Sequence, residues 1–125
     1  MLFSFYTILI ILIVHYLADF CLQTHEQSQK KSSEFKWLIY HTGTYSLVWL
    51  FTTWALYSSF SAAFLFATIT LVVHTATDYV TSRIGKPFWE KQDFHNGFAV
   101  IGFDQVLHYV QLLLTHHLIT TIFAS

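Results

Sequence analysis

The chain has 125 residues, of which 54% are hydrophobic and 19% aromatic but only 10% charged, whereas a soluble domain carries about 25% charged residues. This composition excludes an ordinary water-soluble domain, and the length leaves room for one compact domain and no second. A formal net charge of −1 gives no basis for nucleic-acid binding, and the single cysteine, Cys21, excludes an internal disulfide or a CxxC site.

A membrane-spanning helix needs about 20 mostly apolar residues. The first such stretch runs from about Leu2 to Leu22. It has no basic residues ahead of it and continues into His15 and Asp19, so it reads as a retained helix and not as a signal peptide. The polar stretch Gln23 to Lys36 separates it from a second span, Trp37 to Tyr57. The link Ser58-Ser59 is so short that the third span, Phe60 to Thr81, returns antiparallel to the second. Gly85 and Pro87 mark Ser82 to Asn96 as a loop, and the fourth span covers Gly97 to Ile122. The segments are too long and alternate too weakly for strands. The expected fold is all-α: an integral membrane four-helix bundle, one transmembrane domain over residues 1–125. Gly43, Ala55, Ala62, Ala63 and Ala67 are available for close packing.

Every Lys and Arg lies in two of the three links: Lys30, Lys31 and Lys36 in the first, Arg83, Lys86 and Lys91 in the third. In a four-span chain those links share a side, and the positive-inside rule makes that side cytoplasmic. Both termini are then non-cytoplasmic. Trp37, Phe88 and Trp89 stand where an interfacial aromatic belt is expected.

Against this apolar background, three histidine–aspartate pairs share a spacing of four: His15 with Asp19, His74 with Asp78, and Asp104 with His108. That spacing puts both members of a pair on one helical face. At 1.5 Å per residue, Asp19 and Asp78 lie roughly 6 Å from the cytoplasmic ends of their helices, and His15 and His74 roughly 12 Å. His41, on the second helix, falls at roughly 7 Å, Asp104 and His108 at roughly 10 and 16 Å. All four helices thus deliver polar groups to one slab of the bilayer. Ionisable groups at such depth are costly and mark ion paths, proton relays or catalytic centres. His15-x-x-x-Asp19-Phe20 and His74-x-x-x-Asp78-Tyr79 also form a weak internal repeat, each ending an odd-numbered helix before a basic link.

Imidazole plus carboxylate is the ligand combination of zinc and of non-haem iron or manganese. His15, Asp19, His41, His74, Asp78 and His108 are the candidate ligands, more than one zinc needs, so some orient others or a second ion binds. Asp104 is the candidate general base, with Gln105 and Gln23 as candidate hydrogen-bonding groups for substrate. Two other readings use the same residues. One is a non-enzymatic accessory or scaffold subunit whose polar core fixes helix register, with Phe3, Phe5, Trp49, Phe51, Trp54 and Phe64 as its partner surface. The other is a proton or cation relay, disfavoured because the outer half offers few polar groups beyond Ser and Thr. His25 and His95 read as solvated loop residues, His116 and His117 as ordinary residues near the opposite face, and Glu26, Glu34, Glu90 and Asp93 as solvated charges.

The strings His15-Tyr-Leu-Ala-Asp19-Phe20-Cys-Leu-Gln23, His74-x-x-x-Asp78-Tyr79 and Asp104-Gln105-x-x-His108 resemble a bacterial family of small membrane proteins of unknown function. Its members carry HxxADFxxQ, an isolated histidine opening the second helix, HxxxDY and DQxxH. His41 fits the isolated histidine, and the resemblance covers nearly the whole chain. The family is distantly similar to the YdjM-like inner-membrane proteins, described as predicted metal-dependent hydrolases. That resemblance implies a multi-pass protein of the bacterial inner membrane with a hydrolytic metal site. Neither HExxH nor a two-metal phosphatase signature is present. The expectation from residues and resemblance together is a metal-dependent membrane hydrolase, with zinc foremost and manganese or iron as alternatives. Its substrate is a lipid or lipid-linked molecule, and its partners are membrane lipids, with a homo-oligomer or a membrane complex as protein contact.

Overall fold

A computed structural model describes residues 4–124; Phe3 of the expected aromatic surface and the expected helix start at Leu2 lie outside them. The elements are α1 (Phe5–Tyr16), a π-turn (Leu17–Cys21), α2 (His25–Lys30), α3 (Phe35–Tyr57), α4 (Phe60–Glu90) and α5 (Phe94–Ile122). The described residues form no strand. Helix α3 packs against α4, and α4 against α5; the π-turn meets α3, α1 meets α5, and α2 lies on α3. The all-helical expectation holds.

Local chemistry sets most element ends. The Ser4 hydroxyl caps α1 and Thr24 closes a capping box with Gln27 at α2. Ser59 accepts from the Ala62 amide to start α4, and Ser58, at φ 51°, makes the left-handed turn that reverses α3 into it. Asp93 is not simply solvated: it accepts from the Asn96 side-chain and backbone N–H groups, and these bonds hold its carboxyl below the usual range.

Two departures from the sequence expectation matter. Helix α4 does not stop at Thr81 but runs on through Gly85 and Pro87 to Glu90. Gly85 is buried, and a Cβ there would meet Val100 at 3.4 Å, so tight packing on α5 offsets the helix cost of glycine. Pro87 lies only one turn from the helix end, and Gln92, at φ 57°, then turns the chain out. The second departure is α2, a short helix inside the expected polar link.

Helices α4 and α5, of 31 and 29 residues, are long and apolar enough to cross a membrane, while Phe5–Cys21 is apolar but shorter. Helix α3, at 23 residues, carries buried polar residues along its length (His41, Thr42, Ser46, Thr53) that dilute its apolarity.

The interior is divided by depth. Towards the Ser58 turn, Trp49 lies tilted against Phe66 at 5.5 Å between ring centroids, and Ile11, Ala62, Leu112 and Ile119 close around them. Ala62, Ala63 and Ala67 are buried, as expected for close packing, whereas Ala55 is exposed and a Cβ on Gly43 would meet nothing. Trp49 is core and not partner surface; Phe5, Phe51, Trp54 and Phe64 are exposed. His116 is buried as well, with Tyr57 at 2.7 Å, and Gln111 donates to Thr70 and Thr115 nearby. The half towards the Ser58 turn is therefore less apolar inside than the sequence suggested. Towards the other end, the interior is almost wholly polar.

Candidate metal centre

Helical spacing builds the polar half. On α4, Thr70, His74, Asp78 and Thr81 recur at three or four residues and all are buried. On α3, His41 and Tyr45 do the same, and on α5, Asp104 and His108. Asp19 arrives differently. The Leu22 amide donates to the Leu17 carbonyl five residues back, at 3.0 Å, so the chain widens into a π-turn around Asp19. Such single turns re-aim side chains and recur at functional sites.

These elements bring seven expected groups to one place. His41 Nε2 lies 2.9 Å from Asp19 Oδ1 and 3.2 Å from Asp78 Oδ2. His74 Nε2 lies 3.4 Å from Asp78 Oδ2 and 3.3 Å from His41 Nε2. His108 Nε2 is 3.2 Å from Asp78 Oδ1 and 3.8 Å from Asp104 Oδ2. Asp19, His74, Asp78 and His108 each offer one ligand atom, these atoms all lie within 4.8 Å of one another, and all four residues are buried. This group can hold a metal ion.

His108 supplies the test of fit. Its Nδ1–H donates to the Asp104 carbonyl at 2.7 Å, which turns Nε2 on the cluster; in the neutral ring that nitrogen presents a lone pair. That nitrogen has no hydrogen-bond partner although Asp78 Oδ1 is 3.2 Å away, because the two are not aligned as donor and acceptor. A lone pair against a carboxylate oxygen repels unless positive charge stands between them. A divalent ion supplies that charge, and a backbone-anchored imidazole is how metal-ligating histidines are oriented. Two imidazoles and two carboxylates suit zinc, iron or manganese.

The remaining expected residues surround this set. His15 uses both nitrogens elsewhere: Nε2–H donates to Gln105 Oε1 at 2.5 Å, and the Tyr45 hydroxyl donates to Nδ1 at 2.8 Å. It is a flanking residue here, and His41 adjoins the four-atom group without belonging to it. Gln105 Nε2 donates to Asp19 at 3.4 Å and to Asp104 at 3.2 Å, so its amide ties His15 to two carboxylates. Asp104 also accepts from the Thr81 hydroxyl at 2.5 Å. Asp19, Asp78, Asp104, Gln105 and Gln23 line a cavity of 650 Å³, into whose wall Gln23 brings a buried Oε1 without a partner. His25 and His95 are exposed, as expected.

Three site residues were missed by the sequence reading. Tyr45 sits four residues after His41 and Thr81 three after Asp78, so the same spacing rule would have found both. Lys31 had no such signal. It belongs to the link after α2, yet its ammonium donates to Asp78 Oδ2 at 3.1 Å. Burial disfavours its charge, but Asp78 and Asp19 more than compensate and raise its pKa above the ordinary lysine value.

Residues 7–125 match the family described as "Protein of unknown function (DUF3307)". The chain belongs to that family. No curated protein and no solved structure matches it. Membership agrees with the resemblance carried by the motifs and leaves the chemistry of the site to be argued from its geometry.

Proposed function

We propose that the chain is a metal-dependent membrane hydrolase acting on a lipid or lipid-linked substrate. In this reading α1 with its π-turn, α3, α4 and α5 all cross the bacterial inner membrane, and the termini are non-cytoplasmic. The site lies in the cytoplasmic half, roughly 6 to 16 Å below the interface. The observation that carries the proposal is His108, anchored through Nδ1 with its Nε2 turned on Asp78 beside Asp19 and His74, four ligand atoms within 4.8 Å of one another.

A bound divalent ion, zinc foremost, supplies Lewis acidity and makes water more acidic. The residues around it do the rest. Asp104, held by Thr81 and Gln105 at the edge of the cavity, is placed to take a proton from water. Gln105 holds Asp19 and Asp104 in register, and Lys31 donates to the Asp78 carboxylate from outside the ligand group.

One alternative fits the same contact. A second proton on His108 also places positive charge against Asp78, and the cluster is then a hydrogen-bonded core of the accessory or scaffold kind. Elemental mass spectrometry on protein purified in mild detergent, without added metal or chelator, separates the two. Near-stoichiometric zinc, manganese or iron is expected, and His108→Ala should lose it while remaining monodisperse. Folded wild-type protein that is metal-free, and stays so on incubation with zinc, would sink the hydrolase and leave the structural core. His74→Ala provides a second variant should His108→Ala misfold.

A further inference from the structure

The cavity over the cluster has two chemistries at two depths. The side chains of Asp78 and Asp19 are 2% and 5% exposed and converge on the ligand group, whereas those of Lys31 and Lys86 are 19% and 42% exposed and line the outer part. Lys86 also donates to Ser33 at 3.0 Å, which holds the link after α2 over the cavity. Ser82 adds a buried hydroxyl oxygen without a partner. A second hollow, of 380 Å³, follows the seam of α4 and α5 and is walled by Val80, Ile84, Phe88, Phe103 and Leu107. Thr81 and Val100 border both hollows, so the polar cavity and the apolar groove adjoin.

Each hollow taken alone fits many ligands; side by side they fit an amphiphile. Asp19 and Asp78 converge on the ligand group, Asp104 is held by Thr81 and Gln105, and Glu90, 3.9 Å from Lys86, is 64% exposed at the rim. That leaves the Lys31 and Lys86 ammonium groups and the Ser82 hydroxyl as the donors that face whatever enters. A neutral acylglycerol would offer them only weak acceptors. A phosphate offers several anionic oxygens, and a charge-assisted bond to each donor is roughly twice as strong as a neutral one. The groove then takes a chain that remains in the lipid phase.

We propose that the two hollows together bind a single anionic lipid, its phosphate ester beside Lys31 and Lys86 and its acyl chain in the α4–α5 groove. This names the substrate class of the hydrolase proposed above and rests on that reading for its chemistry. For a phosphomonoester, one water adds across the P–O bond. The hydroxyl joins phosphorus, the remaining hydrogen ends on the lipid alcohol, and inorganic phosphate is released.

Native mass spectrometry of the whole protein in detergent tests the ligand directly, with dioleoylphosphatidic acid, dioleoylglycerol and inorganic phosphate as separate probes. Phosphatidic acid should be retained about tenfold more tightly than dioleoylglycerol, the discrimination expected of one charge-assisted contact, and inorganic phosphate more weakly than phosphatidic acid. Lys86→Gln changes a half-exposed side chain, so the fold should survive, and it should reduce that discrimination. Val100→Trp, at the shared wall, should weaken phosphatidic acid and leave phosphate unchanged. Equal retention of dioleoylglycerol, phosphate held as tightly as phosphatidic acid, or an indifferent Lys86→Gln would each overturn the proposal. Metal content of the same preparation keeps the two readings apart. Metal-loaded protein indifferent to the phosphate head defeats only the lipid-phosphate proposal. Metal-free protein that selects phosphatidic acid defeats only the hydrolase and leaves the binding site standing.

Discussion

A histidine is defined by what its second nitrogen does, and three of the four histidines beside Asp78 and Asp19 show the difference. His108 is anchored by a backbone carbonyl and His41 spans two carboxylates, while His15 is held by Tyr45 and Gln105. The spacing of four made the pairs legible in the sequence, because it fixes which side chains share a helical face. It carries no information on tautomer or on which nitrogen turns inward, and so could not separate His108 from His15. Tyr45→Phe tests that separation. It removes the hydroxyl that donates to His15 Nδ1 and leaves a buried acceptor unsatisfied, at a cost of about 1–3 kcal/mol. The unfolding midpoint in detergent should fall while metal stoichiometry is retained, with affinity reduced about 10- to 100-fold at most, as for an outer partner. Metal loss as complete as that of His108→Ala would put His15 in the ligand set after all.

At the scale of elements, the site depends on two local irregularities that pull in opposite directions. The π-turn at Leu17–Cys21 bends a regular helix to aim Asp19, and α4 stays regular through Gly85 and Pro87, where its sequence argues for a stop. The second is sustained by α5. A Cβ on Gly97 would lie 2.8 Å from Trp89 Cε2, so only glycine lets that indole fold across the end of α4. Phe94 and Phe98 flank the ring at 6.0 and 5.0 Å between centroids, which leaves it no easy retreat. Gly97→Ala gains about 1 kcal/mol of helix propensity against about 1–3 kcal/mol of overpacking. The net effect should be destabilising, with Trp89 displaced from the cavity wall. A lower melting temperature with a shifted tryptophan emission maximum is the expected readout; a more stable protein with unchanged emission would show that the ring yields freely. Neither irregularity was legible in the sequence, because glycine and proline signal locally while the contacts that overrule them come from a helix further along the chain.

At the scale of the whole molecule, the distribution of polarity is inverted. Phe51, Val72, Phe98 and Leu114 are 62–64% exposed on helix exteriors, while aspartates and histidines are buried between the helices. Water would favour the opposite arrangement, and an apolar surround resolves it, since there the helices gain nothing from hiding leucine but much from pairing polar groups. The basic residues give that apolar surround a direction. Lys86 reaches Ser33, and Lys31 reaches Asp78, so the two basic segments meet at one end of the bundle. If α1 with its π-turn, α3, α4 and α5 all span, that end faces the cytoplasm and the C-terminal end of α5 faces away from it. In a Cys21→Ser background, Glu34→Cys and Ala124→Cys place single thiols at exposed positions beside opposite ends. A membrane-impermeant maleimide should label Ala124→Cys on intact spheroplasts, and Glu34→Cys only after permeabilisation. The reverse pattern would invert the bundle and put the lysine-lined cavity outside. Labelling of both on intact cells would mean an even number of spans between the two positions, with only two of the three helices from α3 to α5 crossing and one lying flat. Were α4 or α5 the helix that lies flat, the α4–α5 groove would also lose its lipid-facing position, because a groove beside a helix that does not span cannot take its ligand sideways from the bilayer; were it α3, the groove would keep that position.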